Sequence, residues 1–91
     1  MTYRVKITKR AQKQLSKMEP KVAKLIVSFI DQELEGCENP RAIPNGKDLK
    51  GTPGGWRWRV GNYRILGVIW DDEVVIEVFR VGHRKDVYKN I

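Results

Sequence analysis

The hydrophobic period of the chain changes once, and that change fixes its fold class. From residue 9 to residue 34 apolar side chains recur at helical spacings; from residue 56 to residue 81 they alternate with polar ones. Between the two regimes lie Pro40, Pro44, Gly46, Gly51, Pro53, Gly54 and Gly55, turn formers that continue neither a helix nor a strand. Helices are therefore grouped first and strands afterwards, which is the order of an α+β fold and not of alternating β and α units.

Local signals sharpen this. Tyr3-Arg4-Val5-Lys6-Ile7 alternates apolar and basic side chains and reads as a short half-buried strand. Thr8 stands at a helix N-cap position. A first helix is expected over residues 9–18, with Ala11, Leu15 and Met18 on one stripe. Pro20 suits the first turn of a second helix, where its missing N–H is not needed. Val22, Leu25, Ile26, Phe29, Ile30 and Leu34 then make an apolar face that ends near Gly36. The two helices are close enough in sequence for an antiparallel hairpin. The Pro/Gly region holds one short extended piece at most, at Lys47–Lys50. Three strands follow: Trp56–Val60, Tyr63–Trp70 and Val74–Val81, joined by Gly61-Asn62 and Asp71-Asp72 as two-residue turns. Residues 84–91 read as one helical turn or a tail. The expected architecture is an N-terminal strand and an α-helical hairpin packed on a twisted, mainly antiparallel four-stranded sheet. The first strand lies beside the meander, at its edge or centre. Ninety-one residues leave room for one such domain, 1–91.

Two-residue turns set a register. Val60 faces Tyr63, Trp70 faces Glu73, and opposed residues share a sheet face. One face then carries Trp56, Trp58, Val60, Ile65, Ile69, Val74, Ile76 and Val78, an apolar surface for the helices. The three tryptophans, Trp70 included, read as core or hairpin packing. The other face carries Arg57, Arg59 and Arg64 at one end, then Leu66, Val68, Val75, Glu77 and Phe79. Arg84, just past the third strand, stands near the arginine end. Like charges at neighbouring sheet positions repel, and a guanidinium fork matches phosphate oxygens. The cluster reads as a phosphate-binding concavity or as a solvated strand face. The apolar remainder is covered by the chain's own tail or Pro/Gly loop, or else marks an interface.

The chain has 18 Lys+Arg against 11 Asp+Glu, a net charge of +7, which points to a polyanionic partner such as nucleic acid. The excess is local: residues 1–24 hold eight basic side chains and one acid, Glu19, whereas residues 25–91 hold ten of each. Lys9, Arg10, Lys13, Lys17, Lys21 and Lys24 form a basic helix face, either an ordinary solvated surface or one that docks on RNA. Lys50 and Arg80 are further candidates for RNA contact. A single cysteine, Cys37, and a single histidine, His83, leave no internal disulfide and too few ligands for a Cys- or imidazole-based metal site. Cys37 reads as a passive thiol, and no metal or other cofactor is expected. No apolar run reaches the length of a membrane span, and MTYRVKITKR lacks the apolar core of a signal peptide. A cytoplasmic protein without a membrane partner is expected.

Cutting RNA without a metal takes few parts: a base for the 2′-OH proton, cations for the charge gathering around phosphorus, and an acid for the leaving 5′-oxygen. DNA lacks the 2′-OH, so this route is specific to RNA. Arg57, Arg59, Arg64 and Arg84 supply charge in such a scheme. His83, the side-chain type that titrates near neutrality, and Tyr88 move protons or stack on a base. The plainer alternative makes His83 a surface residue and Tyr88 packing for the tail.

The blocks Leu49-Lys50-Gly51, Trp56-Arg57-Trp58-Arg59-Val60-Gly61-Asn62-Tyr63-Arg64-Ile65 and Val81-Gly82-His83-Arg84-Lys85-Asp86-Val87-Tyr88, in that order, resemble the RelE/ParE superfamily of bacterial and archaeal toxins. The resemblance covers essentially the whole chain. It implies a RelE-like, microbial RNase-type fold and a type II toxin with a cognate antitoxin. In the RelE branch it further implies a metal-independent, ribosome-dependent endoribonuclease, an mRNA interferase that cuts mRNA in the A site by 2′-OH attack. The cut leaves a 2′,3′-cyclic phosphate and inhibits translation. The implied partners are the antitoxin, the ribosome through its rRNA, and mRNA, with operator DNA met only through the antitoxin complex. Catalytic roles fall on Arg57, Arg59, Arg64 and Arg84, with Tyr88 as the C-terminal aromatic and His83 as proton carrier. Arg57 and Arg59 stand where the best-studied branch has lysines. Arginine hardly ever releases its proton, so the general base stays open. The ParE-like branch implies instead a DNA gyrase inhibitor acting by protein–protein contact. A non-catalytic nucleic-acid-binding module is the third reading.

Overall fold

The computed structural model describes residues 1–88. It runs β1 (Arg4–Ile7), α1 (Lys9–Ser16), α2 (Pro20–Phe29), β2 (Gly46–Asp48), β3 (Gly55–Val60), β4 (Tyr63–Trp70) and β5 (Val75–His83). Thr8 caps α1 as its position predicts, its hydroxyl accepting the Ala11 N–H at 3.2 Å. Pro20 occupies the first turn of α2. The α2 helix does not run unbroken to residue 36. Its last turn, Ile30–Leu34, widens into a π-helix, in which the Glu35 N–H reaches the Ile30 carbonyl at 2.8 Å. Gly36, at φ 80°, then takes the chain out of the helix. Among the described residues no helix is long and apolar enough to cross a membrane.

The sheet has five strands where four are expected, in the order β1-β5-β4-β3-β2. The addition is β2, which overlaps the short extended piece expected at Lys47–Lys50; three residues leave too little periodic signal to mark it as a strand of the sheet. It pairs with β3, Lys47 opposite Arg57. β1 takes the other edge and pairs with β5 in parallel, Arg4 opposite Val75 and Ile7 opposite Val78. Both helices cover one face of the sheet. Ala11, Ile26, Ile30 and Leu34 meet Trp58, Val60, Ile65, Ile69, Ile76, Val78 and Val81 there in a continuous core. Leu25, expected on the apolar stripe, is 53% exposed. Trp70, expected in packing, is 45% exposed at the far end of β4, where its indole N–H donates to Glu77 at 3.2 Å.

The β3–β4 turn is the expected two-residue Gly61-Asn62 link, with Gly61 at φ 60°. The β4–β5 link is longer than expected. Residues 71–74 form it, and Trp70 pairs with Val75 rather than Glu73. Asp71, at the start of this link, is held by three donors: the Arg41 guanidinium binds both its oxygens at 3.1 and 3.0 Å, and the Tyr3 hydroxyl donates at 2.6 Å. These bonds hold the Asp71 carboxyl below the usual aspartate range, Arg41 being the larger cause, and raise the Tyr3 phenol above its usual range. A second irregularity follows. Gly67 pairs with Val78 but Leu66 with Arg80, so Phe79 is an extra residue, a β-bulge. One extra residue exchanges the two faces from there on. Val81 enters the helix-side core, and Arg80 turns to the opposite face beside Leu66.

That opposite face is partly covered by the chain itself. Leu49 from the Pro/Gly region and Val87 from the tail pack with Leu66 and Phe79. The tail turns back sharply: Arg84 N–H donates to Asn62 at 2.8 Å, and the Asp86 and Val87 N–H groups both donate to the His83 carbonyl at 2.9 Å. Of the expected tail 84–91, residues 89–91 lie outside the described residues. Burial pushes the Cys37 thiol pKa up, which disfavours the reactive thiolate.

Candidate active site

The alternation of β3 builds the site. Trp56 and Trp58 point toward the helices, so Arg57 and Arg59 must point away. Trp58 is locked by burial and by its indole N–H, which donates to the Pro40 carbonyl at 3.2 Å. The tight Gly61-Asn62 turn then places Arg64 directly opposite Arg59. β2 adds Lys47 opposite Arg57. The residue before β2, Asn45, sits at φ 69°, a conformation that asparagine tolerates better than most. From there its side-chain oxygen accepts an Arg59 N–H at 3.2 Å, while its carbonyl accepts the Arg59 backbone N–H at 2.9 Å. The tail brings Tyr88 to the same place. Its hydroxyl accepts an Arg57 Nη1–H at 3.2 Å, and the Arg57 guanidinium lies 5.9 Å from its ring centre.

These groups enclose a cavity of about 350 Å³ lined by Asn45, Lys47, Arg57, Arg59, Arg64 and Tyr88. Four cations line it and, among the described residues, no carboxylate does. Such a wall draws an anion toward its centre and stabilises charge that grows there. Two lining groups can exchange a proton, the Lys47 ammonium and the Tyr88 phenol; the guanidinium groups cannot.

The site residues expected from sequence therefore divide. Arg57, Arg59, Arg64 and Tyr88 come together. His83 does not join them. It pairs with Tyr63 on the helix-side face, where its ring meets Tyr63 edge-on at 5.5 Å and its Nδ1 accepts the Lys85 N–H at 3.2 Å. The Phe79 bulge causes this, because without it His83 would share the face of the arginines. Arg84 is exposed at the start of the tail and does not line the cavity. Lys50 is exposed on the loop beyond β2, outside the cavity as well. Arg80 is 4% exposed and donates to the Val87 carbonyl at 3.1 Å, so it is buried in the fold and not displayed with the surface cations. Lys9, Arg10, Lys13, Lys17, Lys21 and Lys24 are all exposed. Asn45 and Lys47 escape the sequence reading. The short extended piece expected at Lys47–Lys50 overlaps β2, but nothing in the local sequence says that it forms part of a site.

Comparison with known proteins agrees with this architecture. The family model for the ParE toxin of type II toxin–antitoxin systems matches residues 5–88. Toxin RelG of Mycobacterium tuberculosis is 32% identical over 89 residues, which is 98% of this chain and 99% of that one. The RelBE2 toxin–antitoxin complex of the same organism superposes with a TM-score of 0.77 at 29% identity, covering 92% of this chain and 100% of the matched chain. The archaeal RelE–RelB complex of Pyrococcus horikoshii gives 0.69 at 27%, covering 96% and 100%. With a family model spanning nearly its whole length and full-length relatives among the RelE toxins, the chain belongs to the RelE/ParE family of type II toxin–antitoxin toxins.

Proposed function

We propose that this toxin is a ribosome-dependent endoribonuclease that cuts mRNA in the A site by attack of a 2′-OH on the adjacent phosphate. The observation that carries the proposal is the cavity: four cations and a phenol facing one space, with no lining carboxylate among the described residues. An in-line attack on a phosphodiester concentrates negative charge on its non-bridging oxygens, which is the charge such a wall stabilises. Arg59 and Arg64, directly opposed, hold those oxygens. Arg57, bonded to Tyr88, keeps the phenol in the cavity wall, where it moves a proton or stacks on a base. Lys47 adds charge and is the other group able to carry a proton. No metal is needed in this scheme. His83 supports the tail turn through its carbonyl and Nδ1 rather than carrying the proton. Arg84 contacts RNA outside the cavity. The exposed cations of the two helices dock on rRNA, and a cognate antitoxin of the RelB kind restrains the toxin in the cytoplasm.

The test is incubation of the purified toxin with ribosomes carrying a defined A-site codon, alongside a gyrase supercoiling assay. Codon cleavage by the wild type, lost in Arg64→Ala, with supercoiling unaffected is the expected result. Inhibited supercoiling with an intact codon would assign the chain to the gyrase-poisoning branch. Neither effect, with RNA binding retained, would leave a binding module.

A further inference from the structure

Arg80 is the one charged residue that the fold buries among the described residues. A bulge turns it there. With Phe79 extra in β5, Arg80 stands opposite Leu66, which stands opposite Arg57. Three adjacent strands thus present Arg57, Leu66 and Arg80 in one row on the cavity face. The Arg80 guanidinium does not reach the cavity. It donates to the Val87 carbonyl at 3.1 Å, and that carbonyl belongs to the peptide joining Val87 to Tyr88. The Val87 side chain is itself buried against Leu49 and Leu66, and its N–H is held by the His83 carbonyl at 2.9 Å. The residue before Tyr88 is therefore fixed at its N–H, side chain and carbonyl. Tyr88 follows with its hydroxyl on Arg57.

A buried cation is a costly way to fill space, because an apolar side chain would pack beside Leu66 and Val87 without losing hydration. Among what the guanidinium adds is a directional, charge-assisted hydrogen bond to the Val87 carbonyl. We propose that Arg80 is a positioning residue: it clamps the Val87–Tyr88 peptide and so sets the Tyr88 phenol in the cavity. The inference rests on the reading that Tyr88 works in that cavity. The contact reaches Tyr88 through one peptide, so loss of the clamp leaves the cations on their strands and shifts the phenol away from Arg57.

The experiment has two readouts. The first is single-turnover cleavage on programmed ribosomes by wild type, Arg80→Met, Arg80→Lys, Tyr88→Ala and the Arg80→Met/Tyr88→Ala double variant. Arg80→Met should lower the cleavage rate constant at least tenfold while the half-saturating ribosome concentration moves less than twofold. Arg80→Lys should recover most of the rate. In the Tyr88→Ala background Arg80→Met should cost less than a further twofold, because the group it positions is gone. Multiplying losses in the double variant, or an Arg80→Met rate within twofold of wild type, would overturn the proposal. The second readout needs no cleavage. With 3-fluorotyrosine at all three tyrosines, the Tyr88 resonance of the free protein should move toward its unfolded position in Arg80→Met and stay in Arg80→Lys. An unmoved resonance in Arg80→Met would also overturn it. If Arg80→Met does not fold, Arg80→Gln is read in its place. A wild type that leaves RNA intact while the resonance shifts as stated would contradict the nuclease reading and not the clamp.

Discussion

A cavity walled by like charges should cost stability that salt returns, and Arg64→Gln measures that cost. With about 9 Å, the width of a sphere of about 350 Å³, taken as the scale of their separation, each pair of charged heads repels by about 0.5 kcal/mol in water. Arg64 faces three such partners, Lys47, Arg57 and Arg59, giving about 1.5 kcal/mol without screening. At 0.01 M salt, with a Debye length of about 30 Å, about 1 kcal/mol of this survives; at 1 M, with about 3 Å, almost none does. Arg64 also donates to the Tyr63 carbonyl at 3.2 Å, and losing that bond offsets the gain by an amount that salt changes little. The quantity to measure is therefore a difference of differences. The urea unfolding free energies of wild type and Arg64→Gln are compared at low and at high NaCl. Going from 0.01 to 1 M should favour the wild type over the variant by about 1 kcal/mol, equivalent to about 4–8 °C in Tm for a chain of this size. A gap that stays constant with salt, or that moves the other way, would refute the picture of four mutually repelling cations.

Other consequences follow from single contacts. Asn45→Gly keeps a residue that accepts φ 69° but removes the oxygen that holds Arg59; cleavage should fall by about tenfold or more, with stability changed by less than about 1 kcal/mol, and normal cleavage would remove Asn45 from the site. Gly46→Ala places a Cβ 2.6 Å from the Trp56 indole nitrogen, so urea unfolding should show a loss of about 1–3 kcal/mol; an unchanged midpoint would mean that β2 is free to move. Asp71 has a lowered pKa in the folded protein, so its contribution is present above the ordinary aspartate pKa and is lost as pH falls through the lower folded value. Asp71→Asn should therefore be less stable than wild type near neutrality, by a small amount since the group is exposed, and the two should converge in acid. Tyr3 has the opposite sign: its folded pKa is raised, so its contribution holds below the ordinary phenol value and is lost as pH rises through the folded one.

Much of this molecule is legible in its sequence where periodicity is strong. Thr8 and Pro20 mark the helix starts because capping and the proline ring act within one turn. The Gly61-Asn62 turn fixes the register of Arg57, Arg59 and Arg64, so the cluster is readable from alternation alone. What escapes reading depends on contacts distant in sequence. The β4–β5 link takes four residues instead of two, and Asp71 at its start is held by Arg41 and Tyr3 from elsewhere in the chain. The Phe79 bulge has no local marker, yet it takes His83 away from the arginines and buries Arg80. The extended piece expected at Lys47–Lys50 becomes a sheet strand because it pairs with β3, and that pairing brings Asn45 and Lys47 to the site. Sequence patterns thus identify three of the four cations and Tyr88 as a candidate, while Lys47 is brought in by strand pairing and the place of Tyr88 in the cavity is set by the turn of the tail.

The central claim is that the cation-lined cavity promotes attack by a 2′-OH. It is tested most directly on programmed ribosomes whose A-site codon carries a single 2′-deoxy substitution at the nucleotide preceding the cut. The all-ribose codon should be cleaved to a 5′ fragment ending in a 2′,3′-cyclic phosphate, whereas the substituted codon should bind the toxin and stay intact. Cleavage of the deoxy-substituted codon at a comparable rate would contradict it.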